Sequence, residues 1–242
     1  MGTPAVDNFF SLQFIVITIS SFFAADFSLS WDEQMKVIEQ FSNENVLLLS
    51  LIVFGTCLVI LLPIWLKQRR YLLTVKKSAG VKTIVTGLIF DLGVTFAMDL
   101  LSEPITDVMK NIIPDGGYGT VSAAKLSGDS VLLRIVTVVI VGPIAEEVIF
   151  RGLFLNRLMS KMPVWGAVVI SGLIFGIYHM NSVQSIIATF MGIAIAILYV
   201  KTKSLAVCMV FHIINNGLAT LMEHFAANAG SNIDMIIIYP SG

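Results

Sequence analysis

The stretch VGPIAEEVIFRGLFLNR, residues 141–157, decides how this chain folds. It is an apolar run that carries Glu146, Glu147 and Arg151 near its middle. The rest of the chain has little charge to spare. Of 242 residues, 56% are hydrophobic and only 13% are charged, and the mean hydropathy is +0.88. Soluble domains carry roughly 25% charged residues, so a soluble globule of this size could not cover its surface. Nucleic-acid binding, an acidic or basic disordered tail and a secreted disulfide scaffold are excluded by the same arithmetic. The sequence therefore reads as an all-α, polytopic transmembrane helical bundle.

Crossing about 30 Å of hydrocarbon takes around 20 apolar residues. Seven runs approach that length, at 9–25, 46–66, 83–101, 132–158, 164–180, 183–200 and 204–222. A short apolar tail, Ile233 to Tyr239, would be an interfacial segment or the stub of an eighth helix. The first run has no basic flank, which argues against a cleaved signal peptide. Lys67, Arg69, Arg70, Lys76, Lys77 and Lys82 follow the second run. Arg157 with Lys161, and Lys201 with Lys203, fill two further loops that alternate onto the same side. By the positive-inside rule the N-terminus is cytoplasmic and the protein resides in the cell membrane. The basic segment 67–82 is also suited to anionic lipid headgroups. The loop 111–130, with Pro114, Gly116, Gly117 and Gly119, reads as a flexible connector. The organisation is N-terminal helices and loops over 1–130, a core over 131–222 and a short tail over 223–242.

Ionisable residues inside spans are costly and usually face a cavity or a partner. Span five ends FGIYH, with Phe175 and His179 at i,i+4, and span seven holds HIINN, with His212 and Asn216 at i,i+4. Counted from the cytoplasmic boundaries, Glu146, His179 and His212 lie roughly 20, 22 and 12 Å deep at 1.5 Å per residue, close enough to share a layer. Glu147 and Arg151 share a helical face and can neutralise each other. Neighbouring residues point about 100° apart, so Glu146 and Glu147 are expected not to aim at one target. Pro143 removes a backbone donor just upstream of the acids. A carboxylate, two imidazoles and an amide suit hydrolysis of a peptide bond: Glu146, aided by His179, would deprotonate water, and His212 with Asn216 would stabilise the oxyanion. Alternatively Glu146, His179 and His212 would hold a divalent metal such as Zn²⁺. Residue spacing alone leaves both open.

EEVIFR fits an EExxxR motif, FGIYH an FxxxH motif and HIINN an HxxxN motif. In that order, on separate spans, they resemble the CPBP intramembrane protease family (CAAX protease and bacteriocin-processing, also called Abi), of the CAAX prenyl protease 2 type. The resemblance covers about residues 130–220. It implies a helical membrane fold with a cavity open to the cytosol, a peptidase activity, and catalytic roles for Glu146, His179, His212 and Asn216 with Glu147 and Arg151 in support. It also implies either a metallo- or a metal-free glutamate mechanism, on a peptide or protein substrate in or at the membrane. Bacterial members of this type act in bacteriocin immunity and peptide-signal processing.

Two other readings fit the buried charges. One is a non-catalytic membrane regulator or scaffold, for example of a sensor kinase. The other is a small proton-linked carrier, which gives no reason for the three motifs to occur together. Phe175 is expected to pack or shape the cavity, and Cys57 and Cys208 to be core thiols. Asp91 and Asp99 in span three are expected to be structural, and Asn215 and His224 to be packing or interfacial residues.

Overall fold

The computed structural model describes residues 28–67, 81–112, 131–179 and 182–229. The first apolar run, most of the basic segment, the connector at 113–130 and the tail beyond 229 lie outside the described residues, as do the side chains of Asp91, Asp99 and His224. Among the described residues every regular element is a helix. They are α1 (Trp31–Glu44), α2 (Val46–Lys67), α3 (Val81–Ile112), a continuous helix α4 over 131–159, α5 (Val164–Tyr178), α6 (Ser182–Thr202) and α7 (Leu205–Ala229). Helices α2 to α7 fall on six of the seven apolar runs.

By length and composition, two of these helices are apolar enough to cross a membrane, at Gln184–Thr202 and Leu205–Met222. Leu47–Leu61, Ile84–Val94 and Val164–Tyr178 form shorter apolar stretches. Helix α4 carries Glu146, Glu147 and Arg151 in its middle, so composition alone does not mark it as a span.

Among the described residues, large apolar side chains crowd the surface, and an apolar interior encloses a small charged cluster. Val59, Ile89, Leu100 and Ile177 are more than 60% exposed, whereas Glu147 and Arg151 are fully buried. Such a surface would be a liability in water and is ordinary against lipid tails. Because hydrocarbon gives helices no hydrophobic reason to associate, close packing and internal polar contacts must hold them together. Helices α5 and α6 show the first. A Cβ on Gly176 would run into the Thr189 hydroxyl and the Ser185 carbonyl, and one on Gly192 would come within 3.0 Å of the Phe175 ring. Glycine at both positions lets the two backbones touch.

Helix α4 is irregular in a specific way. Its residues Ile135–Val141 and Val148–Leu155 are wound as π-helix, on either side of an α-helical turn Gly142–Glu147. The dihedrals at the junctions stay in the right-handed helical region, so the rod is continuous. π-Helical turns are rare and collect at functional sites. Phe150 on α4 meets the Phe175 ring of α5 edge-on, with centroids 4.9 Å apart. Cys57 and Cys208 are both buried thiols, as expected.

Helix α1 was not among the expected spans, and its start explains why it forms. In Ser30-Trp31-Asp32-Glu33, the Glu33 carboxylate accepts from the Ser30 backbone N–H at 3.0 Å and from its hydroxyl at 2.6 Å. These contacts belong to a capping box, which satisfies otherwise orphaned donors at the helix end. The two donors hold the Glu33 carboxyl below its ordinary value. A depressed carboxyl stabilises the fold above the unfolded-state value and loses that contribution as the pH falls through the folded one. Site-resolved NMR should therefore find Glu33 titrating below an exposed glutamate, with the first turn of α1 fraying as it protonates. Ser30→Ala should move the titration back up.

Candidate active site

Glu147 sits at the end of the α-helical turn of α4 and faces Arg151 four residues on. Arg151 Nη1 donates to Glu147 Oε1 at 2.7 Å, and both side chains are fully buried. The expected pairing is thus present. The guanidinium reaches further: Nη2 donates to the Gly192 carbonyl of α6 at 3.0 Å, and its carbon lies 4.7 Å over the Phe175 ring. A lysine could not reproduce these two divergent bonds. The glycine contact between α5 and α6 brings that carbonyl within reach.

The same Glu147 oxygen accepts from Nδ1 of His212 on α7 at 2.9 Å. Nε2, on the other side of the ring, faces Glu146 Oε2 at 3.6 Å. Both carboxylates therefore address one imidazole, which corrects the expectation that adjacent glutamates could not share a target. The 100° rule treats the target as a point. An imidazole presents two nitrogens on different edges, and α7 places the ring between the diverging side chains. With Nδ1 donating to Glu147, Nε2 is the nitrogen left for chemistry. Glu146 is slightly exposed, at 8%, while Glu147 is fully buried. Both are buried, and of the two only Glu146 keeps some exposure.

His179 caps α5. Its Nδ1 lies 2.8 Å from the Phe175 carbonyl, which can only accept, so Nδ1 is the donor and Nε2 is left for other partners. It makes no hydrogen bond or ion pair with Glu146. The two histidines meet through Phe175, whose centroid lies 4.9 Å from the His179 ring and 5.8 Å from the His212 ring. Phe175 is thus the packing hub expected of it. Tyr178, which the sequence did not single out, packs against both Phe150 and His179, with centroids 5.5 Å away in each case.

Asn216 is placed differently from the other three. Its side-chain amide donates to the Val138 carbonyl of α4 at 2.9 Å. The cause is Pro143. In the first π stretch, the Gly142 N–H bonds the Thr137 carbonyl, five residues back. The next donor in that register, which would meet Val138, belongs to residue 143 and does not exist in proline. Asn216 supplies it from α7. One N–H and the carbonyl oxygen of the Asn216 amide remain. Asn215 points elsewhere, its amide lying 2.7 Å from the Met191 sulfur. A second amide also braces α4: Asn156 donates to the carbonyls of Arg151 and Gly152 and to the Tyr199 hydroxyl.

Among the described residues no three His, Cys, Asp or Glu side chains are arranged to hold a metal ion. Of the expected metal donors, Glu146 and His212 lie 3.6 Å apart, and His179 does not join them in such a group.

Leaving a fully buried carbonyl unpaired costs about 1–3 kcal/mol, and the Asn216–Val138 bond is part-buried. Asn216→Ala should therefore destabilise the protein by about 1 kcal/mol, the lower end of that range. In a Pro143→Ala background, the restored N–H can take the Val138 carbonyl, so the cost of Asn216→Ala should shrink. Thermal unfolding of the four proteins measures the coupling, and strictly additive losses would contradict the register argument.

Comparison with known proteins places this geometry. Residues 128–218 match the family model described as type II CAAX prenyl endopeptidase Rce1-like. A putative membrane peptidase, YdiL, of Bacillus subtilis is 37% identical over 94 residues, which is 39% of this chain and 38% of that protein. The membrane-embedded CAAX protease MroQ of Staphylococcus aureus is 27% identical over 137 residues, 53% of this chain and 55% of that protein. The matched stretches thus span well under half of the first relative and about half of the second. No solved structure matches. The resemblance read from the three motifs is borne out: the segment that carries Glu146, Glu147, Arg151, Phe175, His179, His212 and Asn216 lies within the stretch that is similar to the Rce1-like CAAX protease family.

Proposed function

We propose that this protein is an intramembrane endopeptidase that hydrolyses a peptide bond of a membrane-associated or hydrophobic peptide, using water activated by Glu146. The observation that carries the reading is the division of labour at His212: Glu147 holds Nδ1 from a buried position, while Glu146, the more exposed carboxylate, faces Nε2. Catalytic sites pair two like groups in unlike environments in this way.

In the proposed reaction Glu146 takes a proton from a water, and the hydroxide attacks the peptide carbonyl. The 3.6 Å separation of Glu146 and His212 exceeds a hydrogen bond, leaving the carboxylate able to engage a water. His179, whose Nε2 is left for other partners, helps to orient that water. The oxyanion receives hydrogen bonds from His212 Nε2, when that nitrogen is protonated, and from the remaining N–H of Asn216. As the tetrahedral species collapses, Glu146 returns its proton to the leaving amine. General base catalysis is worth about 10²–10⁴-fold, and one oxyanion donor about 10²–10³-fold. The proposed route uses only these side chains and water.

The supporting architecture is a seven-span bundle with a cytoplasmic N-terminus. A surface crowded with large apolar side chains supports it, as do the helices on six of the seven apolar runs. The family resemblance adds bacteriocin immunity or peptide-signal processing as the setting, both of which present hydrophobic peptides at a membrane.

The test uses the full chain in proteoliposomes with a library of hydrophobic peptides. Cleavage is expected from the wild type, with a loss of at least about 10²-fold in Glu146→Gln and a smaller loss in Asn216→Ala. Activity should survive a zinc chelator. A correctly inserted Glu146→Gln protein with full activity would sink the peptidase reading and favour a non-catalytic regulator. Loss of activity on chelation, restored by Zn²⁺, would replace the metal-free route.

A further inference from the structure

A cavity of about 540 Å³ lies on the molecule between α3, α5, α6 and α7, lined by Lys82, Phe90, Trp165, Leu198, Lys201 and Phe211 among others. It is not part of the catalytic cluster. Phe211 lines it, and the next residue, His212, points about 100° away around α7 towards the two glutamates. The body of the cavity is apolar. Gly87 lets α3 close over it, since a Cβ there would sit 2.8 Å from Leu198 Cδ1. Two cations, Lys82 from the start of α3 and Lys201 from the end of α6, line the same groove, and both are exposed. Trp165, at the start of α5, joins them and is 69% exposed. Three helix termini thus bring two ammonium groups and an indole together beside an apolar trough. Tryptophan and lysine at helix ends mark the level of lipid headgroups.

We propose that this groove binds one anionic phospholipid, with an acyl chain along Phe90, Leu198 and Phe211 and the phosphate between Lys82 and Lys201. Charge complementarity selects an anionic amphiphile over a neutral one. The exposure of Phe90 and Trp165 opens the groove to the outer apolar surface of the molecule, where lipid rather than a peptide bound for Glu146 arrives. The site is independent of the peptidase reading. Its recognition elements lie on four helices that only the fold brings together, although Lys82 closes the basic segment from which lipid contact was expected.

The chain has three tryptophans, so Trp31→Phe with Trp65→Phe leaves Trp165 as the reporter. The full chain is placed in phosphatidylcholine vesicles containing increasing fractions of acyl-brominated phosphatidylglycerol or of acyl-brominated phosphatidylcholine. Each lysine near an anionic headgroup is worth roughly fivefold in affinity, so brominated phosphatidylglycerol should quench Trp165 at a fraction at least about fivefold lower. Lys82→Gln with Lys201→Gln, exposed positions whose neutralisation leaves the packing alone, should bring the two lipids close to equal. Arg157→Gln with Lys161→Gln, charges at the same end but outside the groove, should keep the preference. Equal quenching by both lipids in the parent, or a preference surviving Lys82→Gln/Lys201→Gln, would overturn the proposal. So would its loss in Arg157→Gln/Lys161→Gln, which indicates diffuse surface charge, or protection of Trp165 by a hydrophobic peptide with a free carboxylate.

Discussion

One carboxylate oxygen holds the centre of this molecule together. Glu147 Oε1 accepts from Arg151 on its own helix and from His212 on α7, and Arg151 extends the contact to the Gly192 carbonyl on α6. Three helices are pinned at a point where no solvent reaches. Removing one partner of a buried ion pair costs about 3–5 kcal/mol, since the other charge is left uncompensated. That is a large share of the roughly 5–15 kcal/mol by which proteins are stable. Once those partners are fixed, the orientation of His212 follows, and so does the nitrogen it offers to Glu146. The fully buried glutamate thereby sets the ring edge that its neighbour faces.

The irregular winding of α4 belongs to the same design. A regular α-helix with proline at 143 would leave a different carbonyl without a donor. The π register shifts the vacancy to Val138, where the Asn216 amide fills it. The result locks α7 against α4 one turn beyond His212. Phe175 acts similarly between α5 and the centre, touching both histidines and the Arg151 guanidinium. Around this cluster the small-residue contact of α5 with α6 does the work that hydrophobic burial would do in water.

Much of this was legible in the sequence. Scarce charge made Glu146, Glu147 and Arg151 conspicuous, and i,i+4 spacing correctly paired the last two. The three motifs identified the segment to which the family match now extends. What escaped detection depended on tertiary placement. Helical periodicity cannot reveal that His212 lies between two adjacent side chains, because that is set by how α7 crosses α4. Tyr178 and Gly192 look like ordinary membrane-helix residues until their neighbours are known. The use of Asn216 required knowing the hydrogen-bond register around Pro143, which no residue pattern specifies. By contrast, the Ser30–Glu33 spacing at the head of α1 was readable, and passing over it left a helix unforeseen. The groove of Lys82, Trp165 and Lys201 is assembled from positions more than a hundred residues apart at its extremes.

The central claim is that the cluster around His212 hydrolyses peptides in the membrane, rather than merely holding helices together. Comparative peptidomics of cells carrying the wild type or Glu146→Gln tests it in the native setting. The account predicts a defined set of new peptide termini from membrane-associated or hydrophobic precursors, present with the wild type and missing with the variant at equal membrane abundance. Identical peptide sets from the two strains, with the variant correctly inserted, would contradict it.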